Sequence, residues 1–214
     1  AADVASHRVI VEGLRNLSHD IPVLSEEGAE IPWSERKQWR RFWLIDPIDG
    51  TKDFTQRTGE FTVNIALIEN GEPILGVVTA PALKEAYWGL KGEGAYKRDR
   101  TGRTRRISVV EPGEAKRVVA SKNHLNDETK AFIDKLGAHE LVQAGSSLKF
   151  CKIAEGHADI YPRLGPTCEW DTGAAHAVLS AAGGKVETLE GKPLQYGKED
   201  VLNPHFVAAG NWYK

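Results

Sequence analysis

The chain of 214 residues has only two cysteines, Cys151 and Cys168. They are too few and too far apart for a C-x-x-C metal or redox motif, and nothing marks a disulfide framework. Both are expected as buried thiols in a reducing compartment. The seven histidines show no H-E-x-x-H or similar ligand spacing, so none is assigned to a metal. No apolar run approaches the roughly 20 residues that a membrane helix needs, so no integral membrane segment is expected. Charge of one sign is also missing: 28 basic residues face 30 acidic ones, a net charge of −2. General attraction to polyanions is thereby excluded, and any affinity for a phosphorylated ligand must come from local charge. Internal repeats and low-complexity tracts are absent as well. What remains is a chain long enough to bury a sizeable core, as one domain or two small ones.

Against that plain background stands the run Trp43-Leu44-Ile45-Asp46-Pro47-Ile48-Asp49-Gly50-Thr51. A buried strand takes Leu and Ile rather than charge, so Asp46 is read as the strand's exit, Pro47 stiffens the turn, and Asp49 follows three residues on. Gly50 lets backbone amides come close to an anion. Taken alone, D-x-x-D-G-T is also an ordinary Asp-Gly turn. Two further acidic clusters weigh against that reading: Glu26-Glu27 after Val23-Leu24-Ser25, and Asp171 in Glu169-Trp170-Asp171-Thr172-Gly173-Ala174-Ala175. Each has a plain alternative, a solvated loop for the glutamates and a helix N-cap for Asp171. Their coincidence at three element boundaries points to a cation and phosphate site. Phosphatases of the haloacid dehalogenase type need their two aspartates at i and i+2, whereas Asp46 and Asp49 stand at i and i+3 and read as ligands.

The chain opens on Ala1-Ala2-Asp3, without a methionine, straight into a helical pattern of Val4, His7, Ile10, Val11 and Leu14. An N-terminal piece, the first helix, is expected to be missing ahead of it. Segment 62–68 alternates, Asn70-Gly71 marks a hairpin, 73–80 returns as an apolar strand, and 86–90 and 94–96 extend an antiparallel meander. Six cationic residues in 97–106 lack interleaved aromatics and are read as a solvated hairpin loop, so no nucleic-acid partner is expected. After Glu111-Pro112-Gly113 the pattern changes. A short strand at 118–120, an amphipathic helix at 127–136, a helix at 148–154 stopped by Gly156, a strand at 158–161 and a helix at 172–182 stopped by Gly183-Gly184 follow. The division is an N-terminal α+β lobe, 1–112, carrying most of the candidate ligands, and a C-terminal α/β lobe, 113–214, carrying the Trp-Asp motif.

Taken in order, Asp3, Glu26-Glu27, the run from Asp46 to Thr51, and Trp170-Asp171 with Ala174 resemble the pattern D, EE, DP(I/L)DGT, WDxxA. That pattern belongs to the magnesium-dependent, lithium-sensitive phosphatases of the inositol monophosphatase superfamily, and the resemblance covers essentially the whole chain. Segment 59–68, the stretch Gly145-Ser146-Ser147-Leu148-Lys149-Phe150-Cys151, and Tyr161-Pro162-Arg163 are similar to the bacterial 3′(2′),5′-bisphosphate nucleotidases within it. The resemblance implies a mixed α/β (α+β) fold, a layered α-β-α-β-α sandwich of the inositol monophosphatase and fructose-1,6-bisphosphatase type, with the site between the lobes.

It also implies two magnesium ions, one held by Glu26, Asp46 and the Ile48 carbonyl, the other by Asp46, Asp49 and Asp171. Glu27 is left to a structural role or to a third ion reached through water. The donors agree with this, because four carboxylates in one cleft repel unless cations neutralise them, and an all-oxygen set suits magnesium better than zinc. The implied catalytic residues are Glu26, Thr51 and Asp3, the last two orienting a metal-activated water for in-line attack. For Asp3 a helix N-cap is the plain alternative. The amides of Gly50 and Thr51 would hold phosphate oxygens. Ser146, Ser147, Lys149, Arg163 and Asp171 complete the substrate site, with capping for Ser146 and an exposed helix face for Lys149 as the plain alternatives.

The implied reaction is hydrolysis of the 3′-phosphate of 3′-phosphoadenosine 5′-phosphate, or of its sulfated form, to release phosphate; with the unsulfated substrate the other product is AMP. An inositol or sugar phosphate substrate is the alternative, and a non-catalytic nucleotide-binding module the alternative of another class. Trp170 or Tyr161 is a candidate to stack on adenine, each with a core role as its alternative, and His176 is expected as a packed or capping histidine. The expected location is cytoplasmic, with peripheral association with the inner membrane left open, as is the oligomeric state.

Overall fold

The computed structural model describes residues 1–121 and 125–214. Its alternating segments pair into two sheets. The first holds seven strands in chain order, β1 (Val23–Ser25), β2 (Arg41–Asp49), β3 (Thr62–Glu69), β4 (Glu72–Ala80), β5 (Glu85–Leu90), β6 (Gly94–Arg98) and β7 (Thr104–Ile107). The β1–β2 pairing is parallel and the others are antiparallel. The second sheet holds β8 (Lys116–Ala120), β9 (His139–Gln143), β10 (Ile160–Arg163), β11 (Gly184–Thr188) and β12 (Phe206–Gly210), in the spatial order β11-β12-β10-β8-β9. The helices are α1 (Ala2–Leu17), α2 (Trp33–Arg36), α3 (Thr51–Thr55), α4 (Asp127–Lys135), α5 (Leu148–Ala154) and α6 (Glu169–Ala181). No helix among the described residues is long and apolar enough to cross a membrane.

Strand parity sorts the layers. Odd positions such as Trp43, Ile45, Ile65 and Leu67 face one side of the first sheet, where α1 lays down Ile10, Val11 and Leu14. Even positions such as Leu44 and Ala66 face the other side, where α5 and α6 contribute Leu148, Ile153, Ala174 and Leu179 to a core that continues through Val119 and Phe206 of the second sheet. Beyond that sheet, α4 presses Ile133 onto Val118, Ile160 and Val207. The expected α-β-α-β-α sandwich is what these faces build. The division read at 112/113 falls between β7 and β8, but one core cluster takes residues from both sides of it.

The middle layer sits unusually close to the first sheet because glycines make room for it. A Cβ at Gly76 of β4 would collide with the Ala174 carbonyl oxygen and stand 2.9 Å from Ala177 Cβ, and one at Gly89 of β5 would stand 2.9 Å from Ala181 Cβ. The Gly76→Ala variant therefore has to push α6 off the sheet. We expect it to cost about 3 kcal/mol, roughly 6–12 °C of thermal midpoint in a chain of this length. A circular dichroism melt with an unchanged midpoint would show that the helix is not held at that distance.

Several sequence expectations are corrected. The apolar strand does not end at Asp46, because β3 goes on pairing with it as far as Asp49. The strand expected at 158–161 runs instead through Pro162 to Arg163. There Pro162 lies opposite Val207 of β12, the antiparallel neighbour. α6 begins at Glu169 rather than at 172, and Asp171 is the third helical residue rather than the N-cap, which is Cys168. Lys97 is no part of a solvated loop: it pairs across the sheet with Tyr87, on the inner face, and its Nζ lies 2.8 Å from the buried Glu155 carboxylate. Strands β9, β11 and β12 go beyond what the sequence patterns indicated.

Candidate active site

The site begins with one extra residue in β2. Asp46 lies opposite Asn64 and Asp49 opposite Thr62, three steps on one strand against two on the other. On a regular strand, side chains at i and i+3 point to opposite faces. The bulge restores parity, so both aspartates share the face of Asn64 and Thr62, beneath α6. The N-terminus of α6 delivers the third acid: Asp171 accepts the Cys168 N–H at 2.7 Å in a reciprocal capping box. One carboxylate oxygen from each of Asp46, Asp49 and Asp171 lies within 4.8 Å of the others.

This cluster is electrostatically unsatisfied. Asp46 is 1% exposed and its Oδ1 is buried with no hydrogen-bond partner among the described residues. Burial first, then the charge of Asp49, then Glu26 and Asp171 push its carboxyl up to about 11. Burial and Asp171 push Asp49 up to about 7, against the pull of Lys149 and the Ser147 N–H. Asp171 is raised too, chiefly by burial, with Glu26 adding to the shift and the Cys168 N–H and Arg163 opposing it. An orphaned carboxylate oxygen among three acids that cannot all ionise fits a hard divalent cation.

The other expected ligands gather around this centre. Glu26, exposed on a short turn capped by Ser25, is near enough to Asp46 to help raise its carboxyl. Ile48 is buried inside the bulge. Glu27 has its carboxyl raised by burial and by the charges of Asp3 and Glu26. Asp3 is not the N-cap of α1, which is Ala1; its Oδ1 takes the Val4 N–H at 2.9 Å, and its charge helps raise the Glu27 carboxyl. Among the described residues no hydrogen bond links Asp3 to Thr51. Thr51 is exposed at the start of α3, directly after Gly50, whose left-handed φ of 81° turns the chain there.

A cavity of 580 Å³ opens beside the acids, lined by Asp49, Asp171, Ser146, Lys149, Tyr161 and Arg163 among others. Lys149 is 6% exposed, not on an outer helix face, with its Nζ 3.5 Å from the Ser146 carbonyl oxygen and 5.5 Å from the Tyr161 ring centroid. Arg163 donates from Nη2 to the Pro166 carbonyl at 3.2 Å, while its buried Nε has no partner. The serines differ from expectation because both hydroxyl protons are committed inside the protein. Ser146 Oγ donates to the Asp49 carbonyl at 3.0 Å, and Ser147 Oγ donates to Asn64 Oδ1 at 2.7 Å.

Tyr161 and Trp170 both belong to the core, and Tyr161 also lines the cavity. His176 is the packed histidine expected, its Nδ1 2.9 Å from the Tyr196 hydroxyl and its ring kept neutral by burial, which pushes its pKa down to about 3. Cys151 is buried, but Cys168, capping α6 beside the cleft, is only half-buried. Sequence reasoning missed Lys52, Gln56, Thr58, Gln143 and Thr167 on the cavity wall. Lys52 had a signal, its place directly after the motif; the others are polar loop or strand-end residues with none.

The acids and cations of this cavity come from both ends of the chain, and a family model described as the inositol monophosphatase family matches residues 1–213. The chain belongs to that family. Among its members, the 3′(2′),5′-bisphosphate nucleotidase CysQ of Salmonella typhimurium is 52% identical over 207 residues, covering 96% of this chain and 82% of the relative. The crystal structure of CysQ from Bacteroides thetaiotaomicron, described as a bacterial member of the inositol monophosphatase family, has a TM-score of 0.90 at 41% identity. It covers 97% of this chain and 83% of that one. An inositol monophosphatase structure from Anabaena has a TM-score of 0.80 at 27% identity, covering 97% of this chain and 81% of that one.

Proposed function

We propose that this phosphatase-family chain is a bisphosphate nucleotidase that removes the 3′-phosphate of 3′-phosphoadenosine 5′-phosphate to give AMP, and that also accepts the sulfated nucleotide. One observation carries the reading: the unsatisfied acid cluster opens onto the same cavity as Lys149 and Arg163. A monophosphate needs one cation-rich end of such a cavity, whereas a bisphosphate uses both. The CysQ relatives, named for this activity, support it.

Asp46, Asp49 and Asp171, with Glu26 and the Ile48 carbonyl, would hold magnesium, the metal on which the family depends. We assign two ions, with Glu27 available to a third. Bound there, magnesium supplies Lewis acidity toward phosphate oxygens and lowers the pKa of an attacking water. The protein's own part is orientation. The N–H groups of Gly50 and Thr51 would hold phosphate oxygens, and the Thr51 hydroxyl, exposed at the start of α3, would orient the water. We assign Asp3, whose charge is felt at Glu27, to orienting that water together with Thr51. Lys149 and Arg163, which line the cavity, would hold the non-scissile phosphate. Tyr161, beneath the Lys149 ammonium, offers the adenine an aromatic face.

Phosphate release from 3′-phosphoadenosine 5′-phosphate and from inositol 1-phosphate, each with magnesium and then with added lithium, tests this. We expect magnesium-dependent, lithium-inhibited turnover that prefers the nucleotide by about tenfold or more, the scale of one extra charge-assisted contact. Preference for inositol 1-phosphate would reassign the substrate. Tight nucleotide binding without phosphate release in abundant magnesium would make the chain a binding module.

A further inference from the structure

Ser146 holds a backbone conformation that serine rarely adopts, with φ at +50°. Glycine or asparagine would suit that position at less strain, so the side chain itself calls for an explanation. Its hydroxyl donates to the carbonyl of Asp49, 97 residues earlier in the chain, at 3.0 Å. The approach is so close that a Cβ on Gly50 would collide with Ser146 Oγ. The same residue's carbonyl oxygen lies 3.5 Å from Lys149 Nζ. Its neighbour Ser147, 1% exposed, places its hydroxyl 2.7 Å from Asn64 Oδ1 and 2.9 Å from Thr62 Oγ1. Asn64 and Thr62 are the residues opposite Asp46 and Asp49 across the bulge. The loop before α5 is thus fastened to the back of the acid cluster at three points.

We infer that Ser146 is a positioning residue that fixes Asp49 for metal binding and sets its spacing from Lys149. This rests on reading Asp49 as a magnesium ligand. A serine that merely formed the loop would gain nothing from its hydroxyl. Here the hydroxyl holds the main chain of one wall of the cavity, while the carbonyl faces the ammonium of the other. The distance between the two ends of the cavity, which a bisphosphate has to match, is set through this one residue.

The Ser146→Gly variant separates position from folding, because it removes the hydroxyl and relieves the left-handed strain together. We expect the metal-free variant to melt no lower than the parent. Isothermal titration calorimetry without substrate should then show magnesium affinity weakened about five- to tenfold, the scale of one lost hydrogen bond. Ser146→Asn, which tolerates the same φ and carries a side-chain N–H donor, should regain most of that affinity. Unchanged magnesium affinity in Ser146→Gly overturns the inference, as does a lowered melting point that Ser146→Asn shares. A change confined to the substrate KM also overturns it, since that would make Ser146 a substrate contact. If the parent binds magnesium and the variant binds it weakly, yet neither hydrolyses the nucleotide, the positioning role stands and the nucleotidase reading falls.

Discussion

Asp46→Asn is expected to lower phosphate release by about a thousandfold and, in the same protein stripped of metal, to raise the thermal midpoint. The first effect follows from losing a ligand shared by both implied ions, since metal stabilisation of a phosphoryl transition state is worth several kcal/mol and each 1.36 kcal/mol is a factor of ten. The second follows from what Asp46 does when no cation is present. Its carboxyl ordinarily titrates near 3.8 and is pushed up to about 11 in the fold. Between those values the folded chain holds a proton that the unfolded chain has released, so raising the pH works against folding. The metal-free protein should therefore be least burdened by this cluster below pH 4 and should lose stability as pH rises. The share of Asp49 levels off near 7 and that of Asp46 near 11. Asparagine has no such proton to lose. Melting curves in chelator across this range should show a shallower decline for Asp46→Asn, each recovered kcal/mol appearing as about 2–4 °C. The same pH slope in both proteins, or activity retained within tenfold, would refute this account of Asp46.

Lys149→Ala should cut kcat/KM for 3′-phosphoadenosine 5′-phosphate by about ten- to a hundredfold, the range for a hydrogen bond to a charged group. Turnover of inositol 1-phosphate should stay within about threefold. Lys149 is buried and lines the cavity without an acid partner of its own at bonding distance among the described residues, so its charge is available to the second phosphate. The same charge also pulls down the carboxyl of Asp49. Equal losses on both substrates would therefore mean that Lys149 serves the acid cluster instead of the nucleotide. A pH profile distinguishes the cases, because removing that pull moves the titration of Asp49 further up and affects both substrates alike.

What the sequence disclosed was local. The glycine that stops α5, the Asn70-Gly71 turn and the helical period from Val4 to Leu14 each act within a few residues, and each element forms where its pattern indicates. The acid motifs were legible for the same reason. What escaped depends on partners far along the chain. That Asp46 and Asp49 share a face is decided by Asn64 and Thr62 across the bulge, not by their own spacing. Lys97 looked like one more solvated cation, but its register against Tyr87 turns it inward to Glu155. The hydroxyls of Ser146 and Ser147 looked available because Asp49 and Asn64, which take their protons, lie more than eighty residues away.

Because Leu44 and Ala66 on one sheet, Ala174 and Leu179 on α6, and Phe206 on the other sheet belong to a single unbroken core, the cleft is not built like a jaw. Swinging the sheets apart would wet those side chains at about 25 cal/mol for every Å² exposed. Lys52, Gln56 and Arg163 are among the side chains that line the cavity between them. Whatever movement admits a ligand is left to the loops and side chains around the cavity, not to the two sheets.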